Sequence, residues 1–281
     1  MKIIRYACIP LLVLLLAACD QSKKDSGNAH SLQGYASQED SLLVIGERTP
    51  FQYRPCSIKK ELQYSIYDVT MDYPYDGEQA LVDSVRWWLN SRLGNSFDVD
   101  LSKPKEMLSY YAKSFDDEIT DEDRSFLREM EMKMELSCYC KIIMDTDSLL
   151  TYKVETYYYG GGVHGVSDIY GVTFRKRDGH QFGWDMLKPG LSLYKEIKQG
   201  LMTYFEVDND IDLFQSMLLD EDTSVDAIPY PTTEPWIERD GLHFTYSAYE
   251  VACYAAGLPS FVIPGERAKK YLKPEVLSLL R

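Results

Sequence analysis

An α+β fold built on a largely antiparallel sheet is what this sequence predicts, and three features predict it. Apolar residues alternate at period two through Leu136, Cys138, Cys140, Ile142 and Met144, and a second strand-like run follows from Leu149 to Tyr159. Short turn signals, the glycines 160–162 and Asp178-Gly179, join consecutive strands, whereas a parallel crossover takes about a dozen residues or more. Helical spacing is confined to separate clusters instead of alternating with every strand. The expected sheet runs from Leu136 to Trp184 and includes a hairpin from Trp236 to Tyr246. Helices over Gln79 to Leu93 and Ser192 to Phe205 are expected mainly on one face, in two intimately packed subdomains.

The start of the chain reads as a leader. Lys2 and Arg5 make a positive start, Ile9 to Leu16 is an apolar run too short to span a bilayer, and Leu16-Ala17-Ala18 places small residues before Cys19. This resembles the bacterial lipoprotein signal. The resemblance implies that residues 1–18 are a signal peptide, cleaved before Cys19, and that the Cys19 sulfur carries palmitate-type acyl chains. Each buried methylene contributes about 0.8 kcal/mol, so several chains anchor a protein to a lipid bilayer without a transmembrane helix. Residues 19–40 are polar and lack large apolar side chains, which predicts a flexible tether. The expected location is the bacterial cell envelope, lipid-anchored to a membrane and facing the periplasm or the cell surface.

The remaining chain is long enough for one large domain or two packed halves, and its 22 tyrosines suit a core with wet edges. The formal net charge of −14 becomes more negative by two when Lys2 and Arg5 leave with the signal. Such an acidic surface repels nucleic acid and would steer a basic partner, although it also keeps envelope proteins dispersed. Without Cys8 and Cys19, four cysteines remain, Cys56, Cys138, Cys140 and Cys253, which allow three pairings in an exported protein. Cys138 and Cys140 point to one face of a strand and are poorly placed to bond each other.

Between the tether and the sheet, Leu62 to Tyr73 reads as a strand ending at Pro74. Leu81, Val85, Trp88, Leu89 and Leu93 then recur at helical spacing and stop at Gly94. Ser102 to Phe115 is a second helix with Pro104 in its first turn, and Thr120 followed by Asp123 opens a third. Met130, Met132 and Met134 lack the neighbouring histidines of a copper site and read as packing. After Phe205, the acids Asp208, Asp210 and Asp212 read as a solvated loop that continues through 220–222, since the glycine and closing glutamate of a calcium loop are missing. Ser260 to Ile263 is a last strand, followed by a terminal helix that Pro274 interrupts.

No catalytic set is evident. His164, His180 and His243 sit in no helical metal-binding pattern, and neither a Gly-x-Ser-x-Gly elbow nor a phosphate-binding loop occurs. No metal site and no cofactor is expected. The segment Tyr157-Tyr158-Tyr159-Gly160-Gly161-Gly162-Val163-His164-Gly165 stands out, because an aromatic strand runs into a glycine turn that holds a histidine. Tyr157, Tyr159 and His164 are candidate ligand contacts, with aromatic faces to stack and an imidazole to donate and accept. The competing reading makes His164 a fold organiser, bonded to the turn backbone or to Glu250.

The glycine turn, Asp178-Gly179, "GWDMLKPG" over 183–190 and "DGLHFTYSAYEVACYAAGLPSFVIP" over 240–264 together resemble the RsiV family. That family includes the extracellular part of a lysozyme-sensing anti-sigma factor and the non-catalytic part of PdaC-type peptidoglycan deacetylases. The resemblance implies a PdaC-like α+β subdomain over 41–135 and an RsiV-like domain over 136–281. It also adds Tyr249 and Glu250 to the candidate contacts. Val163 departs from the family turn, which has alanine there. The chain has neither a sigma-binding segment nor a deacetylase domain. The function expected is a non-catalytic binding or sensing module for a protein or a cell-wall glycan, with a basic protein such as lysozyme as one candidate partner. The alternatives are an envelope hydrolase using His164 with a neighbouring carboxylate, and a structural assembly subunit.

Overall fold

Six strands form one sheet in the computed structural model, which describes residues 49–217 and 228–280. The strands are β1 (Gln52–Glu61), β2 (Ser65–Asp76), β3 (Met134–Asp145), β4 (Leu149–Tyr159), β5 (Val166–Arg175) and β6 (Gln181–Phe182), in that spatial order. The expected signal peptide and tether, with Cys19, and the acidic tract at 220–222 lie outside the described residues. Every neighbouring pair is antiparallel except β2 and β3, which run parallel. The long connection that a parallel pair needs is supplied by three helices between them, α1 (Gln79–Arg92), α2 (Pro104–Asp117) and α3 (Asp121–Glu129). Strand β1 escapes the sequence pattern because it is an edge strand with most side chains exposed, a place where Pro55 is tolerated.

One core fills the face covered by α1 and α2. Val69, Met71 and Tyr73 of β2, Cys138 and Cys140 of β3, Tyr152 and Val154 of β4, and Phe174 of β5 meet Val85, Trp88 and Leu89 of α1 and Met107 and Leu108 of α2. Trp88 is the hub, with ring centroids 5.4 Å from Tyr152 and 5.6 Å from Phe174. The Thr120 hydroxyl accepts from the Asp123 N–H at 3.1 Å, so α3 starts at its expected cap. All four cysteines among the described residues are free, with the Cys138 and Cys140 sulfurs 3.7 Å apart.

The hairpin at 236–246 does not join this sheet, contrary to expectation. β7 (Trp236–Ile237) and β8 (Gly241–Thr245) form a separate three-stranded antiparallel sheet with β9 (Ser260–Pro264). The large sheet receives β7 through side chains. Thr151 and Thr173, cross-strand partners on β4 and β5, are both buried. The Thr151 hydroxyl donates to the Ile237 carbonyl at 2.8 Å, and the Ile237 N–H donates to the Thr173 hydroxyl at 2.9 Å. Two hydroxyls thus satisfy backbone groups that a ladder would otherwise pair. Gly171 makes the crossing possible, because a β-carbon there would lie 2.3 Å from the Trp236 ring.

Helix α4 (Tyr194–Tyr204) also belongs to this second core. Its Ile197 and Leu201 pack with Leu242, Phe244, Phe261 and Ile263 of the small sheet, so it does not share the face occupied by α1. The Ser192 hydroxyl accepts from the Tyr194 N–H at 3.2 Å, but the helix starts later than expected, with Leu193 at its cap. Part of the expected acidic loop is helical: Asn209 caps α5 (Asp210–Ser216) by accepting from the Asp212 N–H at 3.0 Å, and Asp210 and Asp212 sit in its first turn, where the macrodipole favours acids. The chain ends in two short helices, α6 (Gly265–Ala268) and α7 (Pro274–Leu277). No helix among the described residues is long and apolar enough to cross a membrane.

Candidate functional site

The glycine turn after β4 needs left-handed backbone at one of its three consecutive glycines. Gly161 has φ +85°, and it lies against Phe126 and Leu127 of α3. Tyr159 holds the turn shut, its hydroxyl donating to the Gly162 carbonyl at 2.9 Å. Tyr157, two residues earlier, sets the hydroxyl end of its ring against Gly165, where a β-carbon would stand 2.3 Å from it. The two tyrosines therefore shape the turn and present His164 and the fully exposed Val163 at its tip.

His164 meets a second loop, the one that leaves β8. Its ring stacks on Tyr254 at 3.9 Å between centroids and 16° between planes, and Tyr249 lies nearly parallel to both rings. The Gly165 carbonyl is 3.0 Å from Nδ1 and can only accept, so in the neutral ring Nδ1 carries the proton. Nε2, 3.1 Å from the Tyr249 hydroxyl, then accepts from it. Both ring nitrogens are engaged without a carboxylate.

The partner loop is held from several sides. Glu250 accepts from the N–H groups of Thr232 at 2.6 Å and Ser247 at 2.8 Å. It organises the loop, so of the two partners foreseen for the histidine the turn backbone is met, at the Gly165 carbonyl, while the place of Glu250 is taken by the adjacent Tyr249. Asp168 of β5 accepts from the Ser247 hydroxyl and the Ala248 N–H. Burial pushes its carboxyl above the ordinary value, and those two bonds pull the other way. From below, the Tyr204 hydroxyl of α4 donates to the Ala256 carbonyl at 2.7 Å, pinning the 3₁₀ turn Tyr254–Ala256. Tyr249 itself has φ +67°, a conformation that costs a side-chain-bearing residue about 1 kcal/mol or more and persists only where the surroundings impose it.

The result is a surface platform. Tyr249 is 51% exposed and Tyr254 37%, with His164 and Val163 beside them. Two clefts of about 420 and 400 Å³ open beside the small sheet, and neither is lined by these residues. Of the expected contacts, the structure brings His164 and Tyr249 together and sets Tyr157 and Tyr159 behind them as supports. Tyr254 escaped the sequence reading. Its signal was present, a third tyrosine in the same motif five residues after Tyr249, but only the fold of the loop shows which rings converge.

The other two histidines among the described residues are paired differently. His180 Nε2 lies 2.7 Å from Asp185, whose second oxygen accepts from the Gly183 N–H at 2.8 Å, closing a local turn. His243 lies between Asp240 and Glu238 on the β7–β8 hairpin.

Comparison with known proteins agrees with this architecture. No curated protein matches the sequence. A crystal structure of a DUF3298 family member from Bacteroides fragilis is similar at 17% identity with a TM-score of 0.67, covering 82% of this chain and 97% of that one. A DUF3298 family protein from Pseudomonas aeruginosa PAO1 is similar at 17% identity with a TM-score of 0.53, covering 81% and 95%. These likenesses establish a shared fold. In sequence, residues 185–266, which include Tyr249 and Tyr254 but not the glycine turn, match the family model described as "Protein of unknown function (DUF3298)".

Proposed function

We propose that the protein is an RsiV-like bacterial lipoprotein of the cell envelope, anchored through acylated Cys19, whose folded part binds a protein or a cell-wall glycan without catalysis. The observation that carries this reading is the platform of three nearly parallel rings, His164, Tyr249 and Tyr254, assembled from two loops distant in sequence. Aromatic faces are suited to the apolar faces of sugars and to protein side chains. The left-handed Tyr249 is the kind of local strain that accumulates at binding sites. The lipoprotein-like signal before Cys19 and the polar residues 19–40 support the location. With both His164 nitrogens engaged by a carbonyl and a hydroxyl, a hydrolase built on His164 and a carboxylate has no geometric support. The acidic surface favours a basic protein partner such as lysozyme, with steering that raises the association rate by roughly one to three decades at low salt.

The test is a pull-down from envelope extracts and a peptidoglycan-fragment array, run beside a broad hydrolase screen. Capture of a partner that His164→Ala and Tyr254→Ala both lose is the expected result. Turnover that disappears in His164→Ala would reject the binding reading. Calorimetry with lysozyme at low and physiological salt separates specific binding from charge attraction, which vanishes at the higher salt. Radiolabelled palmitate incorporated by the wild type and lost in Cys19→Ser tests the anchor.

A further inference from the structure

We propose that the β7–β8 hairpin carries a site for one divalent transition-metal ion, with zinc the ion best suited to its donors, formed by Glu238, Asp240 and His243. Each residue offers one ligand atom, and the three atoms lie within 4.8 Å of one another. The imidazole faces a carboxylate on either side, with Nε2 at 2.7 Å from Asp240 and Nδ1 at 3.5 Å from Glu238. Ligand atoms about 2.0–2.2 Å from a tetrahedral ion stand roughly 3.3 Å apart, so an ion at Nε2 finds Asp240 in place and needs the Glu238 carboxylate to swing round from the Nδ1 side. One imidazole and two carboxylates suit zinc or manganese, whereas calcium prefers oxygen donors alone.

The hairpin is built to hold these groups still. Trp236 is the cross-strand partner of His243, and the backbones of Glu238 and Gly241 exchange bonds at 2.9 and 3.3 Å. Gly241 packs so tightly on β9 that a β-carbon would lie 2.2 Å from the Ile263 carbonyl oxygen. The Trp236 indole N–H donates to Glu238 at 2.8 Å, orienting that carboxylate as outer partners do in metal sites. Glu238 and His243 also line the cleft of about 400 Å³, together with Lys153, Thr245 and Phe261. Three protein donors leave a fourth position for water or a small ligand, the arrangement of open zinc sites. None of this is visible from spacing, because Glu238-x-Asp240-x-x-His243 matches no helical ligand motif and becomes a cluster only when the hairpin closes.

The experiment is a zinc chloride titration of the EDTA-stripped full chain, followed by calorimetry and by tryptophan fluorescence, since Trp236 lies 5.5 Å from His243 between ring centroids. One ion bound in the micromolar range is expected, weakened on the order of tenfold or more in His243→Ala, Asp240→Asn and Glu238→Gln. Asp240 is exposed, so Asp240→Asn decides the matter where the histidine variant fails to fold. Melting temperatures in EDTA unchanged between wild type and Asp240→Asn would show that the loss is one of ligands. No saturable binding up to about 1 mM zinc, or binding that all three variants retain through cysteines or the tether, overturns the site.

Discussion

The Tyr249 hydroxyl and Nε2 of His164, 85 residues apart in sequence, stand 3.1 Å from each other. This contact ties the glycine turn of the large sheet to the loop that leaves the small one, at a point where both residues remain open to solvent. It also separates the two roles available to the histidine. An exposed hydrogen bond contributes little to folding, because water replaces the lost partner. His164→Ala is therefore expected to leave the melting temperature nearly unchanged while abolishing ligand capture. A stability loss of about 1–3 kcal/mol in denaturant unfolding would return His164 to a fold-organising role.

Gly171→Ala is expected to destabilise the fold where the sheets cross. The added β-carbon would meet the Trp236 ring at 2.3 Å, so the buried indole or β5 must shift to admit it. Overpacking of this kind costs about 1–3 kcal/mol. Gly162→Ala is the control, since nothing lies within 4 Å of its β-carbon position and its φ is not left-handed. Urea unfolding of the two variants should differ accordingly, and equal midpoints would mean that the crossing is looser than drawn.

Tyr67→Phe should be neutral or stabilising, by up to about 1 kcal/mol, because the hydroxyl is buried with no hydrogen-bond partner among the described residues. Burial already pushes its ionisation well above the ordinary value. Trp88→Ala, in the same core, is expected to lose about 3–5 kcal/mol through the cavity it leaves. A destabilised Tyr67→Phe would reveal a partner for the hydroxyl.

Asp178 accepts a forked pair of bonds from Arg175, Nε to Oδ1 at 2.8 Å and Nη2 to Oδ2 at 2.7 Å, which hold its carboxyl below the ordinary 3.8. A depressed folded value means that the folded state binds the proton less tightly. The stabilisation is then present above pH 3.8 and fades as pH falls through the folded value. Because the carboxylate is 43% exposed, solvent screening limits the gain to below about 1 kcal/mol. Asp178→Asn should lose that amount at pH 7 and converge with the wild type in strong acid. A gap that persists undiminished at low pH would assign the effect to the turn and not to the charge.

Strands β3 to β5 and helices α1 to α3 were legible because each carries a local signal: alternation, a 3.6-residue stripe, a cap such as Thr120 or a turn such as Asp178-Gly179. β1 was not, since an exposed edge strand has no apolar alternation to display. The hairpin at 236–246 was recognised as a hairpin but assigned to the wrong sheet. Its own sequence specifies pairing within the turn, while Thr151, Thr173 and Gly171, more than 60 residues away, decide what it packs against.

The same division holds for the platform. By itself the sequence determined that a glycine turn would present a histidine just after a strand of tyrosines, since glycine's backbone freedom and the period of a strand are local properties. Only the tertiary structure decided that Tyr157 and Tyr159 brace that turn, that Glu250 serves its own loop, and that Tyr249 and Tyr254 arrive beside His164. Those choices depend on two loops being carried by separate sheets to one place. Packing between the sheets fixes that distance, and no local pattern of residues encodes it.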